Sequence, residues 1–270
     1  MMLPRHITLI SSVCLMLVLV SCATAPVTGR NQLVLVSAAE ETKLGLTEFD
    51  KMKKEVPINR DAQLNAMVQR VGKRIAEVAA GDLPGAQWEF VVFESKEANA
   101  FCLPGGKVGV YTGILPITKS EAGLAVVLGH EVAHAAAHHG AERITRSMAL
   151  QGLGSLLNAG LQSQSPKWSD PKWQQGFQLA YGTGSQVLGE LPHSRSQESE
   201  ADHIGLVYMA KAGYDPAESV KFWERFATVN KASGGATPWF LRTHPIDEDR
   251  IKQLQTWQPE AKAAYRPAAK

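Results

Sequence analysis

His130-Glu131-Val132-Ala133-His134 is the stretch of this chain that predicts a metal-binding helix at the centre of the fold. On an α-helix, residues four apart lie on the same face, about one turn apart. The imidazoles of His130 and His134 can therefore bind one metal ion, with Glu131 beside the first of them. In this pattern the metal is zinc, and the glutamate is the base that activates the attacking water.

The sequence around the motif predicts a mostly helical α+β domain with a small β-sheet. Ser120 is expected to cap the motif helix, and Gly140 is expected to stop it. A polar stretch from Ser163 to Gln175 is expected to be a mobile loop or an insertion. Helices are predicted at 38–56, 61–80, 120–139, 142–162, 195–212, 216–230 and 247–257, a strand at 87–93, and a hairpin over 99–114 that turns at 104–106.

The N-terminus is typical of a bacterial lipoprotein signal. Arg5 precedes an apolar stretch from Ile7 to Val20, which is short for a membrane span. The stretch ends in Leu19-Val20-Ser21-Cys22, which resembles a lipobox, so residues 1–21 are predicted to be a signal peptide and Cys22 to be acylated. An ordinary signal peptide and an uncleaved anchor are the alternatives. Ala23, rather than Asp, follows the cysteine, a pattern that in Gram-negative bacteria implies sorting to the outer membrane.

Length and composition predict one well-packed domain, or one domain with a small appendage. The sequence has 270 residues, 44% of them hydrophobic, and a formal net charge of +2 without a basic run, which argues against nucleic-acid binding. Residues 22–37 are expected to be a tether, 38–258 the main domain and 259–270 a tail. With Cys14 lost and Cys22 acylated, Cys102 would have no disulfide partner and is expected to be packed.

A catalytic zinc site needs a third protein ligand. One known pattern places a histidine six residues after His134, but that position is Gly140, so this class is excluded. We expect His138 and His139 to be surface or packing histidines, because one straight helix rarely supplies three ligands to an ion. The other common solution is a carboxylate from a second helix. The segment 195–205 is the best candidate, since Glu198 and Asp202 share a face there, whereas Glu200 points elsewhere.

Four segments together resemble a known family. They are the pentapeptide at 130–134, Glu198-Ser199-Glu200-Ala201-Asp202, Asn99-Ala100-Phe101 through Pro104-Gly105-Gly106, and Thr243-His244-Pro245 followed by Arg250-Ile251. In this order they are similar to the zinc metallopeptidases of the HtpX and CAAX prenyl protease family, and most of all to its soluble bacterial members of the BepA type. The resemblance implies a zincin-like domain that holds one Zn²⁺ per chain.

The resemblance also implies a role for each matching residue. His130, His134 and Glu198 would be the zinc ligands, and Glu131 would polarise the water and pass its proton to the leaving amine. Asp202 would orient a ligand histidine or act as a proton donor.

The resemblance implies two further features, one that regulates activity or assists the reaction and one that binds substrate. His244 would be a fourth ligand that silences the enzyme, a donor to the oxyanion, or an ordinary loop histidine. Asn99, Ala100 and Phe101 would border the cleft, where an exposed strand edge could bind a peptide by strand addition.

The function implied is a membrane-anchored zinc metalloendopeptidase of the bacterial envelope, on the periplasmic face of the outer membrane. It would hydrolyse misfolded or unassembled envelope proteins. The alternative is a zinc-stabilised chaperone or assembly factor for outer-membrane proteins with little or gated proteolysis.

Overall fold

The computed structural model describes residues 22–147, 193–234 and 237–267. The fold is α+β and mostly helical, as the sequence predicts, with a small sheet beside the motif helix. The strands are β1 (Cys22–Thr24), β2 (Asn31–Leu33), β3 (Glu89–Phe93), β4 (Ala100–Leu103) and β5 (Lys107–Tyr111). The helices are α1 (Ala38–Glu55), α2 (Ala62–Ala79), α3 (Leu115–Thr118), α4 (Glu121–Ala136), α5 (Arg195–Lys211), α6 (Ala217–Ala232), α7 (Trp239–Thr243) and α8 (Glu248–Ala264).

The main sheet has the strand order β3-β5-β4. β4 and β5 form the predicted antiparallel hairpin, and β3 runs parallel to β5 on its other side. Side chains alternate between the two faces, because successive residues of a strand point in opposite directions. One face packs on α2 and α4, and the other packs on α1. On the second face, strand residues and α1 residues form a mostly aromatic cluster. The strands contribute Phe93, Phe101, Leu103 and Tyr111, and α1 contributes Phe49 and Met52.

α4, which carries the histidine motif, is the central helix of the domain. It begins where predicted, with the Ser120 hydroxyl accepting a hydrogen bond from the amide of Gly123. Every residue from Gly123 to Ala136 is buried. A helix that is enclosed all round must be covered on every side, and here α2, α3, α5, α6 and β4 provide the cover.

α4 and α5 approach each other closely because both carry glycine at the crossing. A Cβ atom built on Gly205 would lie 2.8 Å from the carbonyl carbon of Gly129 and 2.8 Å from the amide nitrogen of His130. Real side chains do not tolerate such distances to backbone atoms. The two glycines therefore set the separation of the helices that carry the candidate metal ligands.

The motif helix ends earlier than the sequence predicts. Ala137 and His138 form a turn, and the backbone is helical again from 139 to 147, so the expected stop at Gly140 is wrong. The break arises at His138, which adopts a left-handed conformation (φ 49°) that ends an α-helix. Its ring nitrogen Nδ1 lies 2.9 Å from the carboxylate of Glu41, a contact that stabilises an uncommon conformation for a residue other than glycine.

The two ends of the described chain are more ordered than expected. The segment predicted to be a tether contains a hairpin of β1 and β2, with Ala25 and Val36 buried. The final helix, expected to end at Trp257, continues to Ala264 despite Pro259. Packing sustains it, since Trp257 stacks on His203 with ring centroids 4.4 Å apart and Ala261 is buried.

Substituting Gly205→Ala should push α4 and α5 apart. Overpacking of this kind costs about 1–3 kcal/mol of the free energy of unfolding, measurable by chemical denaturation of the full chain. Gly81→Ala is the matched control, because nothing lies within 4 Å of a Cβ at that position, and it should change stability by less than about 0.5 kcal/mol. Equal stability of the two variants would show that the close approach is not a constraint.

Candidate metal centre

Two histidines of α4 and one glutamate of α5 meet in the buried space between the helices. The Nε2 atoms of His130 and His134 are 3.1 Å apart. Glu198 lies in the first turn of α5, with Oε2 3.4 Å from Nε2 of His130 and Oε1 3.4 Å from Nε2 of His134. All three side chains are buried. The structure thus brings together the three residues that the sequence pattern nominates as ligands.

These spacings suit a zinc ion. Ligand atoms at the corners of a tetrahedron about 2.0–2.1 Å from zinc lie about 3.3 Å from one another, close to the three separations among His130, His134 and Glu198. Two imidazole nitrogens and one carboxylate are also a donor set that catalytic zinc uses. Lone pairs that converge in a buried space are costly unless a cation or protons lie between them. The residues present therefore fit one zinc ion.

His244 completes the group from the loop after α7. Its Nδ1 lies 3.2 Å from Nε2 of His130 and 3.0 Å from a carboxylate oxygen of Glu198, at the place of a fourth ligand. Its Nε2 lies 3.5 Å from the carboxylate of Glu131. The ring of His193 stacks on it, with centroids 5.0 Å apart and planes at 18°. Sequence reasoning nominated His244 but gave His193 no part.

Glu131 lies beside the ligand cluster rather than within it. Its carboxylate is buried, and its Oε1 atom has no hydrogen-bond partner among the described residues. Burial raises the pKa of Glu131 above its ordinary value. A carboxylate with raised basicity, whose Oε1 is not hydrogen-bonded and lies 3.5 Å from Nε2 of His244, suits proton transfer in this space.

Asp202 contacts the ligand His130 from behind. Its Oδ1 lies 3.0 Å from Nδ1 of His130, the nitrogen that faces away from the cluster. Arg250 of α8 binds the same carboxylate with two nitrogens, at 2.7 and 2.9 Å. Burial alone would raise the pKa of Asp202, but Arg250 and His130 hold it below its ordinary value. The aspartate is therefore an anion that can fix the orientation of the histidine ring.

Arg250 joins Glu198 and Asp202 of α5 and was given no role from sequence. Its Nη1 lies 2.8 Å from Oε2 of Glu198, and its guanidinium lies 4.3 Å from the ring centroid of Trp223. Two buried carboxylates four residues apart need a cation. That requirement, together with the Arg250-Ile251 segment of the family pattern, is the signal that could have identified it.

A second set of contacts reaches the ligand His134. His139 is fully buried, and its Nδ1 lies 2.8 Å from Nδ1 of His134, so it is a packing histidine that also touches a ligand. Its Nε2 lies 2.9 Å from Glu200, which also binds Arg30 of the N-terminal hairpin. Burial lowers the pKa of His139. Burial raises the pKa of Glu200, but hydrogen bonds from His139, Arg30 and Thr28 outweigh it and leave that pKa at about 2.

The strand expected to border the cleft packs on α4, the helix that carries His130 and His134. β4 is an outer strand of the sheet, but its start at Asn99, Ala100 and Phe101 is buried rather than exposed as expected. The amide of Phe240 on α7 donates to the carbonyl of Ala98, just before the strand. Burial and then the carboxylate of Glu131 raise the pKa of the Cys102 thiol, which puts the middle of β4 near the candidate base.

Other sequence expectations lie outside the described residues, namely the signal peptide at 1–21 and the polar stretch at 163–175. The side chain of Cys22 is also not described. Among the helices of the described ranges, none is both long and apolar enough to cross a membrane.

Comparison with known proteins was consistent with this geometry. The sequence profile described as peptidase family M48 matches residues 62–258, a range that contains every candidate ligand and base. That match covers most of the chain.

Individual relatives are similar to this chain over most of its length. The mitochondrial metalloendopeptidase OMA1 of Schizosaccharomyces pombe is 41% identical over 194 residues, covering 72% of this chain and 53% of that protein. The OMA1 metalloendopeptidase of Homo sapiens is 31% identical over 245 residues, covering 88% and 46%. The beta-barrel assembly-enhancing protease of Escherichia coli is 26% identical over 235 residues, covering 86% and 46%. The chain spans about half the length of these relatives.

Proposed function

Because the chain belongs to peptidase family M48, we propose that it is a zinc metalloendopeptidase. His130, His134 and Glu198 hold the metal, one ion per chain. When bound, zinc supplies a Lewis acid that polarises the scissile carbonyl and lowers the pKa of a water molecule. The observation that carries the proposal is the convergence of these three buried side chains, at the spacing of a zinc tetrahedron, with Glu131 beside them.

Glu131 is the general base in this proposal. Its unpartnered oxygen accepts a proton from the attacking water, and the same carboxyl group later gives a proton to the leaving amine. Burial favours both steps, because a raised pKa brings the carboxylate closer to the basicity that neutral-pH proton transfer needs.

Asp202 acts on the reaction through His130 rather than on the substrate. Its anionic carboxylate, held by two nitrogens of Arg250, accepts a hydrogen bond from Nδ1–H of His130 and leaves the lone pair of Nε2 for the metal. This arrangement favours the orienting role over the alternative of proton donor. Arg250 also contacts Glu198, so its positive charge offsets part of the negative charge of the two buried carboxylates.

The substrate in this proposal is an extended, unfolded segment of polypeptide. β4 is an outer strand that packs on α4, and its start at Asn99, Ala100 and Phe101 is covered, so a peptide reaches this edge only when the cover moves. A peptide that adds to such an edge is held through its backbone, which favours broad specificity. Folded proteins rarely expose an extended segment, so misfolded or unassembled chains are the substrates favoured.

The cellular setting proposed is the bacterial envelope, with the chain anchored by lipid at Cys22. The lipobox pattern supports the anchor, and the name of the Escherichia coli relative, a beta-barrel assembly-enhancing protease, supports envelope proteins as substrates. The OMA1 relatives are named as mitochondrial, so family membership alone leaves the compartment open. The narrower likeness to HtpX and the CAAX prenyl proteases stays a prediction.

Glu131→Gln should abolish peptide cleavage while zinc remains bound. Loss of a general base slows a reaction about 10²- to 10⁴-fold, whereas the three ligands are untouched. The assay is hydrolysis of casein by the zinc-loaded full chain, with metal content measured on the same sample. Glu89→Gln is the control, since this carboxylate pairs with Lys53 and Lys107 outside the site. Undiminished cleavage by Glu131→Gln would refute the mechanism.

A second candidate is a chaperone or assembly factor whose proteolysis is gated. The position of His244 favours it, because Nδ1 lies within 3.0–3.2 Å of both Glu198 and His130, where it can take the fourth coordination position. A fourth protein ligand excludes the attacking water, since catalytic zinc sites keep that position open. The resting chain would then be held inactive until the loop after α7 moves.

His244→Ala distinguishes gating from oxyanion stabilisation. Gating predicts that casein cleavage rises, by about tenfold or more, because the fourth position opens; tenfold corresponds to about 1.4 kcal/mol. Loss of an oxyanion donor instead predicts a fall of about 10²- to 10³-fold. His203→Ala is the control, since this histidine pairs with Glu260 away from the cluster. A fall in cleavage with zinc still bound would contradict the gated reading.

A further inference from the structure

The N-terminal hairpin of β1 and β2 is connected to the candidate metal ligand His134 by a series of polar contacts, half-buried at Arg30 and buried beyond it. The hairpin contributes Arg30, whose Nε lies 2.8 Å from Oε2 of Glu200 on α5. Oε2 of Glu200 lies 2.9 Å from Nε2 of His139, and Nδ1 of His139 lies 2.8 Å from Nδ1 of His134. We propose that Arg30, Glu200 and His139 are positioning residues that fix the ring and the tautomer of His134 for the metal.

The direction of each hydrogen bond in this series follows from the ionised carboxylate of Glu200 at one end. Glu200 is paired with the guanidinium of Arg30, so its carboxylate only accepts. His139 must then donate from Nε2, which leaves the lone pair of a neutral ring at Nδ1. That lone pair accepts a hydrogen bond from Nδ1–H of His134. The remaining nitrogen of His134, Nε2, consequently presents a lone pair to the cluster, which is the form a metal ligand requires.

Arg30, the hairpin residue of this series, is itself held by several contacts. Arg30 also binds the carboxylate of Glu142 with two nitrogens, at 2.9 and 3.1 Å, and the side chain of Gln32 at 3.0 Å. The hydroxyl of Thr28 donates to the second oxygen of Glu200. The arginine is therefore fixed between the helical segment 139–147 and α5, so the hairpin can transmit its position to His139.

The two ligand histidines thus have different supports. His130 is oriented by Asp202, a direct carboxylate contact from within its own pair of helices. His134 is oriented through an intervening histidine by a carboxylate that a separate N-terminal element holds. The break at His138 makes this possible, because it turns the chain so that His139 faces back toward His134.

A second metal ion is the competing explanation for the cluster of His134, His139 and His193. The separation of 2.8 Å between the Nδ1 atoms of His134 and His139 is that of a hydrogen bond, and it is shorter than the roughly 3.3 Å expected between two ligands of one zinc ion. Nε2 of His134 also already faces the first cluster. The geometry favours one metal and a hydrogen-bonded support.

The experiment measures the zinc dissociation constant of folded, metal-free full-length protein by competition with a chromophoric chelator. Glu200→Ala removes the acceptor, and Arg30→Ala removes the contact from the hairpin. Loss of such supporting contacts weakens metal binding about 10- to 100-fold, and we expect that range for Glu200→Ala. Arg30→Ala should weaken binding in the same direction by several-fold, and the double variant by less than the product of the two. Glu200→Gln keeps an acceptor oxygen and should recover part of the loss.

Glu89→Ala is the matched control. It removes a carboxylate that pairs with Lys53 and Lys107 away from the metal cluster. Its zinc dissociation constant should equal that of the wild type. The melting temperature of each metal-free variant, followed by circular dichroism, separates weakened metal binding from general loss of stability.

Unchanged zinc affinity in Arg30→Ala would overturn the proposal, and so would a lowered melting temperature in Glu200→Ala with wild-type affinity. Binding of two zinc ions by the wild type would favour the second metal site instead. If Glu200→Ala does not fold, Arg30→Ala decides alone, because its side chain is about one-third exposed. The proposal rests on the proposed function only for the metal. A wild type that binds zinc but cleaves no casein would refute the protease and leave this inference standing.

Discussion

The close contact of α4 with α5 at Gly129 and Gly205 is the constraint on which the site depends. Neither helix alone supplies three ligands, since His130 and His134 occupy one face of α4 and Glu198 comes from the first turn of α5. The side chains meet only because the backbones approach within the space a Cβ atom would fill. Helix caps at Ser120 and Ser194 fix where each helix begins, and so fix the height of the ligands along it.

Burying charged groups in that space is costly unless opposite charges lie close to them. Arg250 contacts both Asp202 and Glu198 and offsets one of their two negative charges, and Trp223 covers its guanidinium. Glu200 is compensated by Arg30 on the opposite side of the cluster. Glu131 is left without a hydrogen-bonded partner on one oxygen, and burial raises its pKa. The absence of an arginine contact on Glu131, among the described residues, separates it from the carboxylates that hold the site.

Local sequence patterns predicted the helices, strands and turns well, because these patterns depend only on residues that are close in the sequence. The apolar periodicity of α2, the cap of α4 and the turn at 104–106 are three examples. Each of these signals comes from residues that lie close to one another in the sequence. The supports of the site were missed, since Arg30 and Glu200 are 170 residues apart and only the folded chain joins them. The break at His138 was also missed, because left-handed backbone is usually signalled by glycine, and the glycine at 140 drew the prediction two residues too far.

The most direct test of the account is the metal content of wild-type protein and of Glu198→Ala, each purified with zinc and dialysed. The account predicts one zinc ion per wild-type chain and loss of most of it in Glu198→Ala, with the helical content of both unchanged. A full equivalent of zinc in Glu198→Ala, or none in the wild type, would contradict the assignment of the site to His130, His134 and Glu198.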